Sequence, residues 1–360
     1  MEEEIAVSAP GKIILLGSYA VLEGFPALSL GVVDKEGRGV VAKCSEGDGR
    51  IVSKEFSIDG RAEDVKGIVG TAYIVAREYL KKIGRWESCN IAVDNSRIFG
   101  NKDEKSGLGS SAAATVATIA SLFSWNGINI EEERSIINKL SHISHAIESG
   151  KVGSGTDIAT SCYGTILYTR YSKEVLDNVS IRNSAEFAKK EFSGMEIKRV
   201  EIPYNIEMFN IRGRKTATIS SVKAFNKAKE REGYVVEKLL KEQSMAEMSL
   251  IKNIKEEKAV RDAMHKARES QRRLSSIMES ALPGIDPIEP EELTSLIEKV
   301  EELPGIVAGR CPGSGGYDGV VFLTQGEGFS PKDIIAIGKE LSLELAYLEL
   351  RKSQEGVRVL

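Results

Sequence analysis

Apolar residues follow two rhythms along the first half of the chain. Ile5 to Ala9 and Ile13 to Leu16 are short apolar runs on either side of Pro10-Gly11, and they predict strands around a turn. Val40 to Cys44 and Ile91 to Val93 have the same character. Gly67 to Ile83 carries apolar residues at helical spacing and predicts an amphipathic helix. Ala112 to Phe123 is Ala-rich and apolar nearly all round, which predicts a helix buried on several sides. Glu131 to Ser149 predicts another helix, whose leading acids suit a helix N-terminus. Ile166 to Tyr168 closes this half as a strand.

Periodicity fades and charge rises between about Tyr171 and Ser193. The expected organisation is therefore a domain over 1–170, a junction over 171–194 and a second domain over 195–360. In the second half, Met208 to Ile211 reads as a strand, and long charged helices follow from Ser221 to Met278 with an interruption at Gly233. Leu282-Pro283-Gly284 is a break. Pro290-Glu291-Glu292 starts a helix, Val320 to Leu323 is a strand, and a last helix runs from Pro331. Helices and strands mixed in both halves favour an α+β fold with antiparallel sheets over a doubly wound parallel sheet.

Composition narrows the functional classes. The 360 residues are 41% hydrophobic and 28% charged, an ordinary globular balance. The net charge of −4 gives no global basic field for nucleic acid or an anionic membrane, so neither is an expected partner. An anionic substrate would have to be held by a local group of cations. The most apolar early stretch, Ile13 to Val33, is broken by Gly17, Glu23, Gly24, Pro26 and Gly31, which excludes it as a membrane span. Met1-Glu2-Glu3-Glu4 lacks the basic region of a secretory signal. Cys44, Cys89, Cys162 and Cys311 are widely spaced, with no Cys-x-x-Cys pair, and the expectation is a reducing cytoplasm.

The chemistry concentrates in glycine-rich segments. Lys105-Ser106-Gly107-Leu108-Gly109-Ser110-Ser111-Ala112 runs straight into the Ala-rich helix. Glycines allow tight, positive-φ turns and close backbone approach. The free N–H groups of the helix start, with the dipole behind them, form an anion site. Ser110 and Ser111 add hydroxyls suited to phosphate or Mg2+; the plainer alternative is a serine-capped helix start. No Gly-x-x-x-x-Gly-Lys-Ser/Thr loop is present. Gly107, Gly109 and Ala112 fit Gly-x-Gly-x-x-Ala, but polar Asn101 to Ser106 is no buried strand, which weakens the dinucleotide reading. Ser8-Ala9-Pro10-Gly11-Lys12 places a lysine after a tight turn, facing either a cleft or solvent. Gly150-Lys151-Val152-Gly153-Ser154-Gly155-Thr156-Asp157 presents an acid after a glycine turn, as metal ligand, proton acceptor or simple cap. Gly309-Arg310-Cys311-Pro312-Gly313-Ser314-Gly315-Gly316 has too many glycines for a plain hairpin, and Arg310 brings charge. His142 and His145 have i, i+3 spacing, which suits helix packing better than a metal with no third ligand.

These four segments, in this order, resemble the GHMP kinase superfamily, and the matched stations span Ser8 to Asp318. Gly17-Ser18-Tyr19-Ala20-Val21-Leu22-Glu23, the Lys105-Ser106-Gly107 start of the loop, the run from His145 to Asp157 and Pro312-Gly313-Ser314-Gly315-Gly316-Tyr317-Asp318 are similar to the phosphomevalonate kinases within it. Asp103 and Glu104 replace a proline common before the loop, and Gly213 to Thr218 is only loosely similar to the corresponding family segment. The resemblance implies a two-domain α+β kinase with its active site in the interdomain cleft, using ATP and Mg2+ on a small phosphorylated substrate, as monomer or homodimer. It implies catalytic roles for Lys12 and Asp157. Lys105, Gly107, Leu108, Gly109, Ser110, Ser111 and Ala112 would hold ATP, with Ser110 or Ser111 on Mg2+. Ser18, Tyr19, Lys151, Ser154, Gly155, Arg310 and Gly315 would face the substrate.

Overall fold

The computed structural model describes residues 4–95, 107–214 and 218–360. Its strands, in chain order, are β1 (Glu4–Ala9), β2 (Gly11–Ile14), β3 (Ala27–Asp34), β4 (Val40–Glu46), β5 (Arg50–Ser53), β6 (Ile58–Arg61), β7 (Cys89–Asp94), β8 (Ile166–Thr169), β9 (Glu196–Arg199), β10 (Asn205–Ile211), β11 (Ile306–Arg310), β12 (Val320–Thr324), β13 (Leu345–Leu348), β14 (Leu350–Ser353) and β15 (Arg358–Val359). The helices are α1 (Ile68–Lys82), α2 (Ser110–Trp125), α3 (Arg134–Ser149), α4 (Thr156–Tyr163), α5 (Ser184–Phe187), α6 (Thr218–Lys252), α7 (Glu257–Ala281), α8 (Glu291–Val300) and α9 (Pro331–Glu340). The mixture of helices and mainly antiparallel sheets is the expected α+β class.

The chain forms two compact units. The first is Met1–Lys12, Ser29–Arg199 and Ser353–Leu360; the second is Ile13–Leu28 and Val200–Lys352. This division departs from the expected junction at 171–194. That segment folds within the first unit, where Phe187 and Phe192 are buried, and β9 returns antiparallel to β8 before the chain leaves. Its faded periodicity reflects short elements, not a linker.

In the first unit a sheet runs β15-β1-β4-β7-β5-β6, antiparallel except for β5 beside β7. Val7 faces Ala42 across β1 and β4, and β4 alternates so that Val40, Ala42 and Cys44 point inward. That period-2 pattern places one face of the sheet against α2. Helix α2 is buried continuously from Ala112 to Phe123 because its small residues let β1, β4, α1, α3 and α4 approach closely. Phe123 stacks on Tyr79 with ring centroids 5.6 Å apart. Removing such a buried ring to alanine costs about 3–5 kcal/mol. The acids Glu131 to Glu133, expected inside α3, form the turn before it; Asn129 Oδ1 accepts the Glu131 N–H at 2.9 Å and α3 starts at Arg134.

In the second unit the sheet β11-β12-β10-β13 is covered by α8 and α9, with Phe209, Phe322, Leu296, Ile297 and Ile334 at the centre of the core. Helix α8 starts after Pro290, and α9 starts with a Ser330–Asp333 capping box and Pro331 in its first turn. Helices α6 and α7 pack along each other. The true break between them is the turn at Asn253 to Glu256; next to Gly233 the helix only kinks, at Glu232 (φ −134°, ψ 42°). Tyr19 and Ala20 join Phe225, Leu240 and Leu274 in a second cluster, which draws Ile13–Leu28 into this unit. The strand expected over Ile13 to Leu16 stops at Ile14, because the N–H groups of Leu15 and Leu16 both donate to Leu28 O, at 2.8 and 3.2 Å.

Candidate active site

Three segments of the first unit meet at one glycine. After Pro10, β2 carries Lys12, whose backbone N–H donates to Leu108 O at 2.8 Å and whose Nζ donates to Gly107 O at 2.9 Å. The lysine is therefore tied at both ends to the loop that starts α2. Gly109 is the N-cap of α2, with φ 76° and ψ 38°, a left-handed conformation that glycine adopts without strain. A Cβ placed there would lie 3.1 Å from Lys12 Cγ, 3.3 Å from Lys12 Cε and 3.5 Å from Asp157 Cβ. Lys12 and Asp157, distant in sequence, thus flank the same backbone atom.

A glycine N-cap leaves the first N–H groups of α2 without a side-chain cap, and no acid stands in its first turn. Those groups and the helix dipole suit a phosphate. Leu108 is buried and anchors the loop; Ala112 is buried, Ser110 half-buried and Ser111 exposed. Lys105 lies outside the described residues, as do Asp103, Glu104 and Lys215 to Ala217.

The second glycine turn has a similar construction. Gly150 ends α3 at φ 65°, and Gly155 is the N-cap of α4 at φ 75°. Asp157 sits half-buried in the first turn of α4, and its Oδ1 accepts the Ile158 N–H at 3.0 Å. Ser154 Oγ accepts the Thr156 N–H at 3.4 Å, and Ser154 O accepts the Tyr168 hydroxyl at 3.1 Å. Lys151 is exposed. A cavity of about 80 Å³ lies beside Asp157 and is lined by Ser154, Tyr171, His142 and His145. Burial lowers the His142 pKa to about 3, against the opposing pull of Asp157.

The remaining expected residues belong to the second unit. Tyr19 donates its hydroxyl to Ser314 O at 2.8 Å, and burial raises its pKa. Gly313 N–H donates to Ile14 O at 3.0 Å, and Gly316 N–H to Ile288 O at 2.8 Å. A Cβ at Gly315 (φ 76°) would fall 2.2 Å from Ile288 O, so only glycine fits. The segment with Ser18 and Tyr19 and the C-terminal glycine loop are therefore brought together. Ser18 is half-buried, and its Oγ has no hydrogen-bond partner among the described residues. Arg310, expected as a cation for phosphate, is fully buried; its Nη2 donates to Gln271, and burial lowers its pKa to about 10.

The donor set fits Mg2+. Among the described residues no group of three or more His, Cys, Asp or Glu could hold a metal. Mg2+ commonly keeps waters and substrate phosphates as ligands and takes only one or two oxygens from protein. A serine hydroxyl at the uncapped start of α2 would meet that need. Behind the second turn stand Tyr168, Arg170 and Tyr171, which sequence reasoning missed, and His142, which it read as a helix-packing residue.

Residues 69–165 match the family model of the GHMP kinases N terminal domain. Over that segment the chain is similar to the GHMP kinases. Among the relatives it matches are phosphomevalonate kinases. It is 28% identical over 244 residues to the enzyme of that name from Aspergillus fumigatus, covering 61% of this chain and 50% of that protein. The chain spans about half the length of that relative. To the phosphomevalonate kinase of Saccharolobus solfataricus it is 26% identical over 320 residues, covering 89% of this chain and 90% of the relative. The solved Streptococcus pneumoniae phosphomevalonate kinase in complex with phosphomevalonate and AMPPNP shares the fold, with a TM-score of 0.73 at 17% identity over 98% of this chain and all of the other. No helix among the described residues is long and apolar enough to cross a membrane.

Proposed function

We propose that the protein transfers the γ-phosphoryl group of ATP to (R)-5-phosphomevalonate, giving (R)-5-diphosphomevalonate and ADP, in the mevalonate pathway of isoprenoid biosynthesis. The observation that carries the reading is the convergence of Lys12 and Asp157 on Gly109, at the uncapped start of α2. A module that only bound nucleotide would need the loop and helix start alone.

Phosphoryl transfer asks a protein for positioning and charge neutralisation more than for covalent chemistry. In this reading the N–H groups around Gly107 to Ser111 hold the ATP phosphates. Lys12 offsets repulsion between donor and acceptor as they close. Ser110 or Ser111 would hold Mg2+, which would supply neutralisation of the charge on the phosphates. A phosphate monoester has a second pKa of about 6 and is mostly dianionic at neutral pH, so the acceptor needs no base. Asp157 is then a positioning residue, orienting Lys12 or the metal. Ser18, Tyr19, Lys151, Ser154, Gly155 and Gly315 shape the substrate site, and buried Arg310 braces the strand leading to the glycine loop.

Four buried free thiols agree with a cytoplasmic setting. The similarity to phosphomevalonate kinases over most of one relative's length supports the acceptor. ADP release, coupled to a reporter and run side by side with phosphomevalonate, mevalonate, homoserine and galactose, tests it. The expected result is turnover with phosphomevalonate well above the other three. Faster turnover with an unphosphorylated alcohol would refute it.

A further inference from the structure

The turn that presents Asp157 is held from inside the first unit. Tyr168 O–H donates to Ser154 O, and Arg170 Nη2 donates to Val152 O at 3.0 Å. The His142 ring lies so near Gly155 that a Cβ there would be 2.4 Å from Cε1 and 2.8 Å from Nδ1. His142 is 2% exposed, enclosed by Tyr171, Phe192 and Tyr168 with ring centroids 5.0, 6.2 and 6.5 Å away. Tyr171 Oη is 3.4 Å from Nδ1. The other nitrogen, Nε2, is buried and has no hydrogen-bond partner among the described residues. Buried polar atoms are rarely left so, because the lost hydration is not replaced.

His142 and Asp157 both line the cavity of about 80 Å³. A water needs roughly 10–15 Å³ of such space and two to four polar partners. Ser154 and Tyr171 complete a polar lining. We propose that this cavity is a hydration site through which a neutral His142 positions Asp157. Tyr171 O–H donates to Nδ1, Nε2–H donates to the bound water, and the water donates to the Asp157 carboxylate. The proposal rests on the role given to Asp157 above.

The charge state agrees with the geometry. Asp157 on α4 favours an imidazolium, while His145, on α3 with His142, and Arg170 beyond β8 oppose it; Tyr168 and Tyr171 face the ring as neutral phenols. Burial outweighs them all and keeps the ring neutral. A neutral imidazole has one N–H, so accepting from Tyr171 at Nδ1 fixes the proton on Nε2.

Long-range 1H–15N correlation spectra of the full chain labelled with 15N-histidine test this without any substrate. The chain has three histidines, and His142→Gln identifies the resonances of interest. The expected tautomer is Nε2–H at pH 6 to 8, and Asp157→Asn should shift Nε2 more than Nδ1. A proton on Nδ1, or an Nε2 shift indifferent to Asp157→Asn, would overturn the proposal even if the acceptor reading stands. Kinetics add a second arm, with whichever acceptor supports turnover. His142→Leu should lower kcat at least tenfold with KM for ATP within about twofold, and His142→Gln, which keeps an N–H donor, should recover most of it. Equal losses in both variants, matched by equal falls in melting temperature, would make His142 a packing residue only.

Discussion

Lys12 and Asp157 are 145 positions apart in sequence, yet a single Cβ added at Gly109 would touch both side chains, at 3.1 Å from Lys12 Cγ and 3.5 Å from Asp157 Cβ. Gly109→Ala tests whether that closeness matters. Its φ of 76° costs an L-residue about 1–2 kcal/mol, and the methyl would press on the lysine stem. The expected outcome is a modest fall in the urea midpoint with at least a tenfold fall in kcat. Turnover equal to the parent would detach Lys12 and Asp157 from the chemistry.

Lys12 is bound to the loop through its own N–H and through Nζ, so its ammonium is placed before substrate arrives. Preplaced charge counts most where charge builds up in the transition state. Lys12→Met should lower kcat by orders of magnitude with a small change in KM for ATP. A near-normal kcat with weakened ATP binding would make it a nucleotide-binding residue only.

Ser110 and Ser111 differ in setting, one half-buried and the other exposed. Their alanine variants should therefore differ in Mg2+ dependence. The hydroxyl that holds the ion should, when removed, raise the Mg2+ concentration for half-maximal rate and cut kcat sharply; the other should change stability by about 1 kcal/mol or less. Matching Mg2+ titrations for both variants would count against a serine ligand.

His142 makes a prediction about acid stability. Its pKa is near 3 in the fold and about 6.5 in an unfolded chain. Between those values the unfolded chain binds a proton that the folded chain does not. Stability from this group is then lost as pH falls below about 6.5, by roughly 2–3 kcal/mol on reaching pH 4.5. His142→Gln removes that component. Denaturant titrations at pH 7 and pH 4.5 should show a smaller drop for the variant than for the parent, and equal drops would contradict the buried neutral state.

Elements with long, regular patterns were legible in the sequence: α1, α2, α8 and α9 start within a few residues of their expected positions, whereas the break between α6 and α7 lies about twenty residues beyond Gly233. The glycine turn that starts α2 was legible too, because its spacing and the following helix are local features. Long-range relations were not. Ile13–Leu28 joins the second unit only because Tyr19 and Ala20 find Phe225 and Leu240 far along the chain. Strand β3 is buried on both faces, so it gave no alternation to read. Arg310 was expected as a cation for phosphate, and only the packing of Gln271 and its neighbours shows it enclosed. The cavity beside Asp157 needs α3, α4 and the residues after β8 together, and no one segment implies it.

The central claim is that phosphate accepts phosphate, and 31P NMR of the reaction with phosphomevalonate and ATP reads that bond directly. The account predicts that the phosphomonoester signal disappears while two mutually coupled diphosphate signals grow in step with ADP. An unchanged phosphomonoester signal, or a second uncoupled monoester from transfer to a hydroxyl, would contradict it.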